Sequence, residues 1–321
     1  MKKNKDKKIP SSEDKDRVIK IGTRDSELAL WQAHTVEKQL NDLGYKTEII
    51  AVKSQGDIIL DKPLYELGIT GIFTKTLDVA MLSGQVDIAV HSMKDVPTAL
   101  PQGIVQAAVL ERANTVDILV HKGNTDFFNT DTLIATGSLR RQAQWLHKYP
   151  QHKTVDLRGN VNTRLQKLKD NDWGGAIFAS AGLERLNLKP ETTISLDWMI
   201  PAPAQGAMMV VAMAEDTFAI EALSELNHIE TEICTYIERQ FLRTLEGGCT
   251  APIGALATYN EKTDQIDFNG GLFSIDGQEK IAIKRSFDIS EWKKLGLNCA
   301  KEILENGGSE LMYTIKKQLK K

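Results

Sequence analysis

The sequence has no excess of basic residues: 40 lysines and arginines stand against 43 aspartates and glutamates, for a formal charge of −3. A general nucleic-acid-binding surface, which must neutralise many phosphates, is therefore not expected. No apolar run reaches the length that spans a bilayer. Residues 1–17 also lack the apolar stretch of a secretory signal. Their lysines alternate with Asp6, Glu13, Asp14 and Asp16, the pattern of a solvated, disordered tail. Cysteine is scarce. Cys234, Cys249 and Cys299 are far apart and odd in number, so neither a disulfide framework nor a metal spacing is expected. A reducing cytoplasm is the expected compartment. There is no P-loop glycine pattern, which argues against a nucleoside triphosphate, and no internal repeat. No apolar interaction helix stands out, so a monomer is expected. What is present is ordinary globular composition, 41% hydrophobic and 26% charged over 321 residues, enough for two or three domains each with its own core.

From residue 18 onward, short apolar runs alternate with helical periods. Strands are expected at 18–22, 46–52 and 86–91, with helices at 26–43 and 73–82. The alternation resumes after Arg112, with strands at 116–120, 133–136, 154–157 and 176–179. Helices are expected at 138–148, 163–169 and 181–186. Such βαβ alternation predicts mainly parallel sheets covered by helices on both faces. Pro201 and Pro203 break the chain before another apolar strand at 207–212. Two α/β lobes follow, joined by crossings near 110–113 and 201–206. Residues 60–72, with Pro63, Gly68 and Gly71, read as a long exposed loop suited to a lid. The last third changes rhythm: a long helix at 229–245, strands at 253–259, 265–274 and 280–288, and a helix at 291–306. That pattern predicts a small antiparallel α+β domain.

Three features carry chemistry. First, arginine recurs in the first turn of helices that follow strands: Thr23-Arg24-Asp25-Ser26, Thr136-Gly137-Ser138-Leu139-Arg140-Arg141, and Arg158-Gly159-Asn160-Val161-Asn162-Thr163-Arg164. A helix N-terminus is already electropositive, so a cation there is mildly unfavourable. Any one of these arginines is adequately explained as a solvated or salt-bridged residue. Five at three equivalent junctions point instead to bound anions, and the planar guanidinium suits carboxylates as well as phosphates. Second, an apolar strand ends in His91-Ser92-Met93-Lys94-Asp95-Val96-Pro97, delivering Ser92, Lys94 and Asp95 to one sheet edge. An aspartate among cations is expected to stay ionised and to stabilise positive charge or shuttle a proton. Pairing with Lys94 or capping a turn explains Asp95 equally well on local sequence. His91 reads as a packed strand residue. Third, Cys249 follows Gly247 and Gly248 on a loop, where a thiol is exposed for reaction or modification. Cys234 and Cys299 lie in helical, partly apolar patterns, as small buried hydrophobes do.

These segments resemble the porphobilinogen deaminase (hydroxymethylbilane synthase) family of tetrapyrrole biosynthesis. The resemblance runs through Gly22-Thr23-Arg24, Ser26, Leu28-Ala29-Leu30-Trp31-Gln32-Ala33, Asp87 to Thr98, Gly137-Ser138-Leu139-Arg140-Arg141-Gln142, Leu157-Arg158-Gly159-Asn160-Val161, Ala181-Gly182-Leu183 with Arg185-Leu186, Gln205-Gly206-Ala207 and Leu245-Glu246-Gly247-Gly248-Cys249. It implies two lobes like those of periplasmic binding proteins, from residues 18–111 with 206–226 and from 112–205. A third domain, 227–321, is implied to carry the cysteine. It also implies a dipyrromethane cofactor bound through a thioether to Cys249. The implied reaction condenses four porphobilinogen molecules head to tail on that primer, with loss of ammonia, and then releases hydroxymethylbilane.

By the same resemblance, Asp95 is the catalytic group. Ser92, Lys94, Thr136, Ser138, Arg140 and Arg141 hold the cofactor. Arg24, Ser26, Arg158, Arg164, Arg185 and Gln205 face the substrate. Two departures stand out. Glu66 and Thr70 occupy loop positions where many members carry lysine, and Asn162 stands where glycine is common. The competing reading is a two-lobed binding protein for a small dicarboxylate. It leaves the third domain and the Gly-Gly-Cys loop without a purpose.

Overall fold

The computed structural model describes residues 17–53, 74–245 and 251–319. The expected lid loop at 60–72 and Cys249 lie outside the described residues. In chain order the first elements are β1 (Val18–Arg24), α1 (Glu27–Asp42), β2 (Lys46–Val52), α2 (Lys75–Leu82), β3 (Ile88–Ser92) and β4 (Ile104–Val109). A second group follows: β5 (Asp117–His121), β6 (Leu133–Ala135), α3 (Leu139–Lys148), β7 (Lys153–Val155), α4 (Val161–Asp170), β8 (Gly175–Ala179), α5 (Ser180–Arg185) and β9 (Thr193–Ser195). The chain then returns to the first group through β10 (Met208–Met213) and α6 (Thr217–Ser224). It ends with α7 (Ile229–Thr244), β11 (Ile253–Asn260), β12 (Gln265–Phe273), β13 (Lys280–Asp288), α8 (Trp292–Ile303) and α9 (Ser309–Leu319).

Strand order is β2-β1-β3-β10-β4 in the first lobe and β7-β6-β8-β5-β9 in the second. Alternate residues explain why both faces are covered. Ile88, Val90, Val210 and Ala212 join Val36 and Leu40 of α1 in one core. Ala89, Met209 and Val211 face the other way, onto Leu77 and Met81 of α2. The second lobe repeats this, with Ile118 and Phe178 in one cluster and Leu119, Ile177 and Trp145 in another.

The sheets are less parallel than expected. β10 runs antiparallel to β3 and β4, and β5 runs antiparallel to β8 and β9. Both reversed strands begin where the chain crosses between lobes, at the carboxyl ends of the neighbours they oppose, β3 and β8: Met208 pairs with Ser92 and Asp117 with Ala179. The crossings thus meet on the edge where ligand loops gather in α/β sheets.

The third domain packs α7, α8 and α9 on the antiparallel sheet β11-β12-β13, around Phe241, Phe268 and Leu272. Its last helix continues past the expected end at 306. Asn306 (ψ 30°) and Gly307 (φ +97°) break the α8 path, and α9 then begins in a new direction. At the other end of the chain Arg17, expected in the tail, is held by Asp87 at 3.2 Å and Asp216 at 2.8 Å.

The two crossings are locked together. Gly206 has φ +86°, and a Cβ on it would lie 2.6 Å from the carbonyl oxygen of Ala113. Only glycine permits this approach with that backbone. Arg112 donates to both carboxylate oxygens of the fully buried Glu238 on α7, at 2.7 and 2.9 Å, and to the carbonyl of Gln205 at 2.9 Å. Glu238 also accepts from the backbone amides of Ala204 and Ala257, at 2.6 and 2.7 Å. One carboxylate therefore ties both crossings to the third domain.

Candidate functional site between the lobes

The residues singled out by sequence converge on the carboxyl edges of both sheets, but their partners differ from expectation. Arg140 and Arg141 occupy the first turn of α3, as read. Their first anion, however, belongs to the chain itself. Asp117, fully buried at the start of β5, accepts from Arg140 at 2.7 Å and from Arg141 at 3.0 Å. Arg140 also donates to the carbonyl of Ile200 at 2.8 Å, and Arg141 to that of Ile177 at 3.0 Å. Burial alone would raise the Asp117 carboxyl. The two guanidiniums, with bonds from Arg140 and Gln205, overcome this and hold it well below the usual carboxylate range. Nothing in the local sequence marks Asp117, which opens an apolar strand.

Gln205 corrects the reading more sharply. Expected among the substrate-facing groups, it is fully buried and donates to the carbonyl of Thr115 at 2.7 Å and to Asp117 at 3.0 Å. It positions Asp117 and has no surface to offer a ligand.

Lys94 and Asp95 lie on a 3-10 turn, Met93–Asp95, directly after β3. The turn is fixed from two sides. Met93 donates its amide to Ala207 at 3.0 Å. Arg239 of α7 donates to the carbonyls of Met93, Val96 and Pro97 at 3.3, 2.9 and 2.6 Å. Burial, then repulsion from Arg141, pushes the Lys94 ammonium down to about 8, against the pull of Asp95 and Asp117. Burial, then Arg141 and Arg158, brings the Arg164 guanidinium down to about 10, with Asp95 and Asp156 opposing. Burial is the larger cause of both depressions, and among the described residues the crowding of cations adds to it. The buried Nε of Arg140 has no hydrogen-bond partner.

Elsewhere around the cleft, Ser138 caps α3 by accepting from the Arg141 amide at 3.5 Å, and Thr136 accepts from the Ser138 amide at 3.3 Å. Neither α3 nor α4 has an acidic residue in its first turn. Ser26 caps α1 by position only, with no side-chain bond to the helix. Ser92 exchanges hydrogen bonds with the buried Gln32, the shorter at 2.9 Å. Burial, then Arg24, brings the His91 imidazole down to about 4, so it is a neutral core residue. Arg158 is buried. Arg164 donates to the carbonyl of Gly159 at 2.7 Å. Arg185 donates to the carbonyl of Gly206 at 2.8 Å and lies 5.5 Å from the Trp31 ring. A cavity of about 250 Å³ opens beside Thr136, Ser138, Gln142 and Asp156. A larger one of about 360 Å³, lined by Phe127, Trp173 and Asp131 among others, lies at the opposite end of the second sheet, away from the cations.

The residues that sequence reasoning missed are those that hold the site together: Asp117, Arg112, Glu238 and Arg239. Glu238 left a trace. It falls on the buried stripe of α7 with Thr231, Cys234, Thr235, Phe241 and Leu242, where an unpaired carboxylate has no place.

Comparison with known proteins follows the same outline. Residues 19–221 match "Porphobilinogen deaminase, dipyromethane cofactor binding domain" and residues 232–305 match "Porphobilinogen deaminase, C-terminal domain". The chain is 41% identical over 303 residues to the chloroplastic porphobilinogen deaminase of Oryza sativa subsp. japonica, covering 91% of this chain and 84% of that one. It is 39% identical over 302 residues to the porphobilinogen deaminase of Pelotomaculum thermopropionicum, covering 92% and 96%. Among solved structures, an ancestral cationic amino acid solute binding protein is similar over 65% of this chain and 87% of its own, at 14% identity and a TM-score of 0.43. The periplasmic VFT2 domain of Bordetella pertussis BvgS covers 65% and 86%, at 14% identity and a TM-score of 0.41.

Proposed function

This chain belongs to the porphobilinogen deaminase family, and we propose that the cation-rich junction between its lobes carries out that family's reaction with Asp95 as the catalytic carboxylate. The enzyme is a transferase that condenses four porphobilinogen molecules head to tail, releases ammonia at each step and finally frees hydroxymethylbilane. The observation that carries the assignment of residues is the gathering of Lys94, Arg140, Arg141 and Arg164 around Asp95 and Asp117, with the buried Nε of Arg140 left without a hydrogen-bond partner.

The same gathering of cations fits the dipyrromethane cofactor, whose pyrroles bear carboxylate arms. Lys94, Arg140 and Arg141 would hold those arms, with the hydroxyls of Ser92, Thr136 and Ser138 nearby and Cys249 as the covalent anchor. When bound, the cofactor supplies a nucleophilic pyrrole carbon as the primer. Arg24, Ser26, Arg158, Arg164 and Arg185 bind the acetate and propionate of the incoming porphobilinogen. Ammonia leaves the substrate's aminomethyl group as positive charge builds on the pyrrole nitrogen. Asp95, held on its turn by Arg239, stabilises that charge as a carboxylate; it takes up the proton released from carbon as the new carbon–carbon bond forms and returns it to the next departing amine. Asp117 and Gln205 act behind the arginines, fixing where the guanidiniums sit.

We divide the chain into a first lobe of residues 18–111 and 206–226, a second of 112–205 and a third domain of 227–321, and read the enzyme as a cytoplasmic monomer. The scattered cysteines support the compartment. Among the described residues, no helix is long and apolar enough to cross a membrane. A dicarboxylate-binding protein would leave the grip of α7 on the Asp95 turn unexplained.

The test is Asp95→Asn. The variant should keep its fold and the cofactor's mass, and lose about 10²–10⁴-fold in turnover of porphobilinogen, the range of a lost general acid or electrostatic stabiliser. Turnover within threefold of wild type, cofactor present, would sink the role assigned to Asp95.

A further inference from the structure

Beside the crossings, the two lobes also meet where α1 faces α4 and α5. Asn162, the second residue of α4, donates its Nδ2 hydrogen to Oε2 of Glu27, the first residue of α1. Two further approaches flank this bond: Leu28 of α1 lies against Gly182 of α5, where a Cβ would sit 3.9 Å from Leu28 Cδ2, and Trp31 of α1 lies under Arg185 of α5. Along the chain, Glu27 directly follows Arg24-Asp25-Ser26, and Asn162 lies between Arg158 and Arg164. The bond therefore joins the two arginine loops assigned to the incoming substrate, one from each lobe.

We propose that Glu27 and Asn162 form a clasp that sets the span between these loops and so act as specificity-determining residues for the substrate's two carboxylate arms. The inference rests on the function proposed above. Porphobilinogen carries its acetate and propionate on adjacent ring carbons, so its two carboxylates stay within a limited spacing. Two loops on separate lobes match that spacing only if the lobes are held at one separation, and preorganisation of this kind raises affinity without new contacts to the ligand. The crossings fix the lobes near the hinge. The Glu27–Asn162 bond is a further tie, between the two arginine loops themselves.

The charge of Glu27 gives the idea a sign that can be tested. A carboxylate beside arginines that await carboxylates repels the ligand. If Glu27 were a bystander, useful only for its negative charge at the N-terminus of α1, then Glu27→Gln would tighten substrate binding. If Glu27 is half of a clasp, the same change weakens the bond from Asn162 and loosens the span, so substrate binding weakens.

The experiment compares holoenzymes bearing Glu27→Gln, Asn162→Ala and both changes, after intact mass and thermal melting show that each carries cofactor and is folded. KM for porphobilinogen should rise about three- to tenfold in each single variant, the scale of one solvent-exposed hydrogen bond, with kcat within twofold. The double variant should be no worse than the worse single one, because both changes remove the same bond. Amide exchange should rise at residues 23–30 and 158–165 together. A lower KM for Glu27→Gln, or effects of the two changes that multiply, would overturn the clasp while leaving the reaction untouched. A wild-type enzyme with no turnover of porphobilinogen would overturn the functional reading and the clasp with it.

Discussion

Replacing Asp117 with asparagine removes a buried carboxylate that faces both Arg140 and Arg141. The three side chains are 0–7% exposed, so water cannot take the carboxylate's place. Breaking a buried ion pair by removing one partner costs about 3–5 kcal/mol, because the remaining charge stays desolvated. For a cooperative unit of this length each kcal/mol corresponds to roughly 1.5–2 °C, so the melting temperature should fall by about 5–10 °C. The loss should depend on what else occupies the cleft. In a cofactor-free background made by Cys249→Ser the two guanidiniums have no second anion, and the full drop is expected. In the holoenzyme the cofactor's carboxylates replace part of the missing charge, and the drop should be about half as large. Scanning calorimetry of Asp117→Asn in both backgrounds, at neutral pH and low salt, gives the two differences. A drop under 2 °C in the cofactor-free background would refute the claim that Asp117 holds the arginines. Equal drops in both backgrounds would refute the claim that the same arginines hold the cofactor.

Gly206→Ala should destabilise the protein by more than the ~1–3 kcal/mol expected from its positive φ alone, since the new methyl also meets the Ala113 carbonyl; an unchanged urea midpoint would contradict the packing of the crossings. His91 binds a proton near pH 6.5 when unfolded and only near 4 when folded. Stability should therefore fall by ~3 kcal/mol in total as pH drops from 6.5 to 4 and stay level below that on this group's account. His91→Gln should remove that part of the slope in urea titrations at stepped pH, and an unaltered slope would show that His91 is protonated or solvated in the fold.

The sequence foretold some elements to the residue. β2 runs over Lys46–Val52 as expected, since the alternation there is bounded by Gly44 and Lys53. The direction of β10 was not legible, because a strand buried on both faces has the same apolar pattern whichever way it runs. α6 escaped although Asp216 caps it, accepting from the Ala219 amide at 3.1 Å; its Phe218-Ala219-Ile220 run follows too closely on β10 to separate by periodicity. The helix expected to end at 306 instead bends at Asn306 and Gly307 and resumes as α9. At the site, the arginines and the Lys94-Asp95 turn were visible because their spacing from strand ends is local. Asp117, Glu238 and Arg239 were not, because each acts on a partner at least 23 residues away that no window of sequence brings beside it.

The central claim is that this chain works with a primer of two linked pyrroles attached at Cys249, in a cleft whose cations are arranged for carboxylates. Its most direct test is the intact mass of the protein purified from cells that make porphobilinogen. The wild-type chain should be heavier than its sequence by two linked pyrrole units, and Cys249→Ser should have the mass of its sequence alone. A wild-type mass equal to that of the bare sequence, or an increment that survives Cys249→Ser, would contradict the account.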